Sequence, residues 1–435
     1  MQTTLNYQRS EAPSRYRRSI HFVAMAITLS VFPLIWMGGL VTSHGAGMSV
    51  PDWPNSYGYN MFLFPPNQWL GGIFFEHTHR LLGTLSGFLS IILVLLAWGP
   101  SQNLVTRKIM GWLTFLTLTA AVVTFAVRPP YAGMPMPSVE DYDAKFAAYE
   151  AAKNWSHVYV GLFSLGLVTL FAWIARTRES RRWLRWLTIG QLVAIIFQGL
   201  LGGLRVTEVS IELAMIHACF AQLFFCTTAF TALALSHWWK NARDLSREND
   251  APVARRVVVW MSITAGLIFA QLIVGAIMRH NNAGLAIPDL PLHYGKLLPP
   301  TDGAGLEAAN AARVWQYHLE PTTLAGIWTH FGHRLGAVLI TLTVAVIGFS
   351  VLRKLPQRRA IRRVVAILVS LVIVQVTLGI LTVLWMKPAD VASLHVAVGA
   401  LTFLTTTQAG IVLARQFARP VTVTERLPRE ALVAA

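Results

Sequence analysis

Ten mostly apolar stretches punctuate the chain, at roughly 19–40, 73–98, 109–127, 157–175, 186–204, 211–236, 257–278, 326–351, 364–386 and 391–414. A helix needs about 20 residues to cross about 30 Å of hydrocarbon. Lipid offers no partner to backbone N–H and C=O groups, so only helices and closed barrels cross it, and runs of this length are helices. The pattern therefore predicts an all-α polytopic membrane protein with about ten transmembrane helices. The first run follows about 18 polar residues without a small-residue cleavage site, so it reads as an anchor helix.

The polar segments between the runs repeat. "AGMSVPDWPNSYG" (46–58) returns as "AGLAIPDLPLHYG" (283–295) at a constant offset of 237. Downstream, "EHTHRLLG" (76–83) is echoed by "THFGHRLG" (329–336), "QGLLGGL" (198–204) by "QVTLGIL" (375–381), and "MIHACFA" (215–221) by "SLHVAVG" (393–399). Four matches in one order indicate a duplication. Each half enters its matching helix from the same side, so the repeat is parallel, with its axis along the membrane normal. The expected architecture is two tandem, pseudo-two-fold-related four-helix bundles. His79 to Gln198 spans 119 positions against 42 for His333 to Gln375, so the first half carries a two-helix insertion, about 99–180, with the acidic segment "PSVEDYDAKFAAYEAAKNW". The predicted organisation is an N-terminal arm (1–18), a first half (19–240), a second half (257–415) and a tail (416–435).

Composition fits this picture: 54% of residues are apolar and 13% charged, about half the charge of a typical soluble protein. The net charge of +16 could suggest nucleic acid, but its distribution excludes it. Basic residues crowd alternate loops: Arg9, Arg15, Arg17 and Arg18, then Arg176 to Arg185, then Arg353 to Arg363. The intervening loops hold few. That alternation is the positive-inside pattern and predicts both termini in the cytoplasm. The two cysteines, Cys219 and Cys226, both lie in the sixth run, which excludes a disulfide framework or a cysteine-rich metal site.

The duplication singles out four histidines, His79 with His333 and His217 with His395, each near the start of an even-numbered run and so at similar depth near the outer face. Histidine inside a membrane helix marks function by default. Two imidazoles facing each other across a bundle hold a haem iron from both sides, whereas zinc would need a third or fourth close ligand. Two haem sites, one per half, is the economical reading. His77 lies two residues from His79 and points away from it, which suits a hydrogen-bonding neighbour. Arg80 and Arg334 follow the repeated histidines and suit the carboxylate groups of a porphyrin, the alternative being a basic side chain reaching to the interface. Glu76 lies three residues before His79 on the same helix face, while His330 occupies its place in the second half. Gln198 and Gln375 read as packing residues, and Asp52 and Asp289 as loop caps.

These residues together resemble the haem A synthases: Glu76-His77-Thr78-His79-Arg80, "QGLLGGLRV", "IHACFAQ", "FGHRLGA" and "LHVAVGAL", covering about 19–98 and 183–415. The resemblance implies a membrane oxidoreductase that converts the C8 methyl group of haem O to the formyl group of haem A, for use in terminal oxidases. It implies His79 and His217 as axial ligands of the substrate haem, His333 and His395 as axial ligands of a haem b, and Glu76 as an acid needed in the oxidation. It also implies a haem O synthase and oxidase assembly factors as partners and an electron acceptor not identified by the sequence; a homo-oligomer is allowed. The short basic N-terminus, without an extended Arg/Ser-rich presequence, favours a bacterial inner membrane over a mitochondrial one. The chain departs from the family in having ten runs where eight are common, and in lacking the cysteine pair some members carry in the first outer loop. Two rival readings stand beside it: a non-catalytic di-haem cytochrome b that passes electrons, and a transporter built on a parallel repeat.

Overall fold

The computed structural model describes residues 18–128 and 142–417, with the helix alone over 142–154. The predicted N-terminal arm up to residue 17, the tail from 418 onward and the start of the acidic segment lie outside the described residues. The helices are α1 (Arg18–Ser43), α2 (Gly72–Trp98), α3 (Leu104–Ala126), α4 (Tyr142–Ile174), α5 (Arg182–Thr207), α6 (Ile211–Leu235), α7 (His237–Lys240), α8 (Ala251–His280), α9 (Gly303–Tyr317), α10 (Leu324–Lys354), α11 (Arg359–Leu384) and α12 (Ala389–Phe417). Ten of them, all but α7 and α9, are long and apolar enough to cross a membrane, and each overlies one predicted run. The protein is an all-α integral membrane protein.

Short polar signals set the helix ends. Asn103, Ser210 and Thr323 accept from the backbone N–H of Val105, Leu213 and Gly326 at 2.8, 3.2 and 3.1 Å, satisfying first-turn donors that have no partner within the helix. Gly99 ends α2 in the left-handed region (φ 58°), where its N–H closes onto the Leu95 carbonyl. The sequence pattern gave no warning of α9. Its residues are too polar for a crossing, and it begins where Asp302 accepts from Gly305 N–H at 2.7 Å. It lies outside the membrane spans and is anchored by Arg313, which donates to the carbonyls of Leu285 (2.5 Å) and Glu320 (2.8 Å).

Packing groups α1, α2, α5 and α6 into one set and α8, α10, α11 and α12 into another, with α1 and α6 meeting α12 and α8 along the seam. Ile20, Ile27, Leu93, Leu184 and Phe225 fill the first set, and Met261, Ile347, Leu368 and Phe417 the second. The inserted helices α3 and α4 pack mainly on each other and touch α2. Trp112 and Phe115 on α3 are 67% and 60% exposed, which in hydrocarbon carries no penalty. The two ends of the insert meet: Glu179 N–H donates to Ala97 O at 2.9 Å and Ser101 N–H to Ala175 O at 3.1 Å.

Candidate functional site

The four repeated histidines come together as two pairs. His79 on α2 faces His217 on α6 with ring centres 6.3 Å apart, and His333 on α10 faces His395 on α12 at the same 6.3 Å. Two imidazoles bound through Nε2 to opposite faces of one iron put their ring centres about 6 Å apart, from two bonds of about 2 Å and about 1 Å more to each centre. Both pairs have that spacing. Among the described residues no group of three or more His, Cys, Asp or Glu is arranged to hold a metal, and each histidine pair presents two donors.

What holds the rings is a feature the sequence reading only half saw. Each imidazole lies against a glycine of the neighbouring helix: His79 on Gly38, His217 on Gly202, His333 on Gly275 and His395 on Gly379. A Cβ added to any of the four would stand 3.0 or 3.1 Å from the ring Cε1. The close approach lets Nδ1 of His79, His217 and His395 donate to the carbonyls of Leu34, Gln198 and Gln375, each at 3.1 Å. Each carbonyl lies four residues before its glycine; it already serves the helix ladder, and its second lone pair takes the imidazole. A carbonyl cannot donate, so the proton is on Nδ1 and Nε2 is the lone-pair nitrogen, the usual way a ligating histidine is oriented; at His395 that Nε2 accepts from the Gln375 side-chain amide at 3.3 Å. At the fourth ring, Gln271 on α8 donates instead to the His333 carbonyl at 2.7 Å, as Gln198 does to that of His217 at 2.9 Å. The glutamines read as packing residues thus also make hydrogen bonds to the histidine helices. The signal was present: Gly38 and Gly275 obey the loop offset of 237, and Gly202 and Gly379 sit in the quoted glutamine motifs.

Above each pair sits a matched loop. Asp52 accepts from Tyr57 and Gly58 N–H at 2.8 and 2.9 Å, and Asp289 accepts from Tyr294 and Gly295 N–H, both at 2.9 Å. Tyr57 and Tyr294 share a left-handed backbone, and their hydroxyls donate back to the carbonyls of Ser49 and Ala286. The two aspartates therefore close loop turns, and both are capping groups.

The helix below clamps each loop. Arg80 donates to the carbonyls of Val50, Asp52 and Asn55 at 2.5, 2.6 and 2.8 Å; Arg334 donates to those of Ile287 and Leu292 at 2.8 and 3.2 Å. Both guanidinium groups thus direct their terminal nitrogens to loop backbone. Glu76, 3% exposed, accepts from Val50 N–H at 2.8 Å and pairs with Arg80 at 2.9 Å. His330 takes its place opposite Ile287 N–H at 3.2 Å and Arg334 Nε at 3.3 Å. His77 points away from the His79 pair, bonded to Ser56 at 3.0 Å and edge-on to Phe64 and Trp69.

The family described as COX15-CtaA, cytochrome oxidase assembly protein, matches residues 129–407. The chain belongs to this family. Within the cytochrome oxidase assembly proteins it is similar to the "Heme A synthase" of Symbiobacterium thermophilum, 28% identical over 238 residues (54% of this chain, 69% of the relative). The "Heme A synthase" of Beijerinckia indica subsp. indica is 28% identical over 336 residues (69% and 87%). That of Allorhizobium ampelinum is 26% identical over 395 residues, covering 88% of this chain and 87% of the relative.

Proposed function

We propose that this chain acts in haem A biosynthesis as a haem A synthase, oxidising the C8 methyl group of haem O to a formyl group. The observation that carries the reading is the pair of imidazole pairs at equal 6.3 Å spacing, each built on a glycine notch. The first half (19–240) holds haem O as substrate and haem A as product through His79 and His217. The second half (257–415) holds a haem b through His333 and His395. Haem b supplies one-electron redox chemistry, which suits an oxidation whose electrons must leave toward a separate acceptor.

The chain's own residues divide the work. Nδ1 donation to helix carbonyls orients the imidazoles of His79, His217 and His395 with Nε2 as the ligating nitrogen, while His333 is set by its glycine notch and by Gln271 on its own carbonyl. Arg80 and Arg334 serve the haems by locking the loops that roof them. Asp52 and Asp289 are matched in the two loops, whereas Glu76 beside the first pair is replaced by His330 beside the second, so the acid-assisted step is assigned to the first half. The buried Glu76 carboxylate, held between Val50 N–H and Arg80, is placed to stabilise positive charge or accept a proton near the substrate's edge. The alternation of basic loops supports cytoplasmic termini, with the sites near the outer face, and the proposed host membrane is a bacterial inner membrane. A haem O synthase and terminal oxidase assembly factors fit as partners.

The near-identity of the two pairs also suits a di-haem cytochrome b, and one experiment separates the two. Protein co-expressed with a haem O source is extracted and its haems are identified by mass, beside Glu76→Gln, which keeps an acceptor for Val50 N–H. Haem A in the parent, with haem O or a hydroxylated product accumulating in the variant, supports the synthase and the role of Glu76. Haem b alone in both samples, despite ample haem O, assigns the chain to electron transfer.

A further inference from the structure

With Arg80 and Arg334 committed to loop carbonyls, the carboxylate groups of a porphyrin in either site need other cations. The structure offers three. Arg205 lies three residues beyond the notch glycine Gly202 on α5, and Arg279 four beyond Gly275 on α8. Each is thus on the notch face, one turn nearer the outer end. Both are half-buried, and among the described residues neither forms an ion pair with a carboxylate. Arg205 donates to Gly47 O at 2.7 Å; Arg279 donates to Gly39 O and Ser43 Oγ, both at 2.5 Å. A guanidinium at membrane depth without an anion is costly, and it matches a carboxylate bidentately.

The third is Lys387, in the turn between α11 and α12. Met386 and Lys387 both have left-handed backbone (φ 56° and 62°), rare for side chains of this size, and Lys387 N–H closes the turn on Thr382 O at 2.7 Å. The side chain lies along Gly284, with Cδ 3.5 Å from where a Cβ would stand. Gly284 is the repeat equivalent of Gly47, the residue Arg205 holds. Each half therefore brings a cation to the same loop glycine, but from positions the repeat does not align: Arg205 matches Thr382, and Lys387 matches Val209. Common descent alone does not place charge at one point in space from two different sequence positions. Burial, then the neighbouring Arg279 charge, lower the Lys387 pKa, as expected of a cation set facing no anion.

We propose that Arg205 in the first half, and Arg279 with Lys387 in the second, bind the carboxylate side groups of the porphyrins held by the histidine pairs. This rests on the haem-binding reading above. Full-length protein prepared haem-free, in nanodiscs of zwitterionic lipid, is titrated with iron protoporphyrin and with its dimethyl ester. A His79→Ala background isolates the second pair. Lys387→Gln, whose side chain makes no hydrogen bond within the described residues, and Arg279→Gln are compared with that parent. The expected result is free-acid binding weakened about ten- to a hundredfold in each variant, the range for losing one charged hydrogen bond, with ester binding unchanged and a bis-imidazole spectrum retained. Arg205→Gln in a His333→Ala background behaves likewise. Equal losses for both porphyrins, or none, overturn the assignment. So does a loss seen only when anionic lipid is present, which gives the cations to phosphate headgroups. A parent that binds neither porphyrin with a bis-imidazole spectrum removes the haem reading itself.

Discussion

At the scale of single residues, the site depends on what glycine leaves out. A Cβ at Gly379 would stand 3.1 Å from His395 Cε1, tighter than ordinary contact, while the bond to Gln375 O on the same helix holds the ring against it. Gly379→Ala should therefore displace the imidazole at an overpacking cost of about 1–3 kcal/mol. The expected outcome is folded protein with reduced haem content and an altered low-spin spectrum in the second half alone, measured by absorbance at matched protein concentration. The four histidines were legible because the duplication printed them twice. Two of the four glycines were legible only as small residues, since which ring a glycine faces depends on helix packing that no local motif records. Lys387 was invisible: nothing in "WMKPAD" marks a left-handed turn that lays a lysine along a loop glycine.

At the scale of helices, all ten crossings could be read from the chain, because hydrocarbon imposes length and composition on each of them alone. The polar α9 was not, since its stability comes from Arg313 and its cap rather than from an apolar stripe. The inserted pair α3–α4 leaves and rejoins the bundle at one place, where Glu179 N–H meets Ala97 O at 2.9 Å. Excising 100–177 and joining Gly99 to Arg178 should preserve the remaining eight crossings and their haem-to-protein ratio. Loss of haem from both halves on excision would show instead that α3 and α4 brace the site.

The joint between α8 and α11 makes a pH prediction. Asp250 pairs with Arg358 through two bonds of 2.7 and 2.8 Å, and the Arg358 hydrogen bond holds the Asp250 carboxyl below its usual range. A carboxylate depressed in the folded state stabilises above its unfolded pKa, and that stabilisation is lost as pH falls through the folded value. The pair is about a quarter exposed, so its contribution is under about 1 kcal/mol. Asp250→Asn should lower the melting temperature slightly at neutral pH, and the difference from the parent should vanish in acid below the ordinary aspartate range.

For the whole molecule, orientation is the property on which both sites depend. With Cys219 and Cys226 replaced by serine, Leu297→Cys, 82% exposed in the parent, should react with a membrane-impermeant maleimide in intact cells. Arg247→Cys, on the opposite side, should react only after lysis. The reverse pattern would invert the topology and put the histidine pairs at the inner face. Sequence alone could propose this because basic residues record sidedness. It could not show how α1 and α6 meet α12 and α8, since apolar faces in lipid look alike whichever helix they touch.

One exchange between the halves has an electrical result. Glu76 and Arg80 form an ion pair over the first site, so their charges cancel. Over the second, His330 stands in the place of the acid, in contact with Ile287 N–H and Arg334, and brings no negative charge against Arg334. Two sites of the same design thus differ by one acidic group, present beside the first and absent beside the second. Positive charge favours a metal's reduced form, so on the haem-binding reading an iron held between His333 and His395 should be the easier of the two to reduce, which a redox titration would read. On that reading, a single exchanged residue in a duplicated frame would give two chemically similar sites a built-in voltage, downhill from the half with the acid to the half without it.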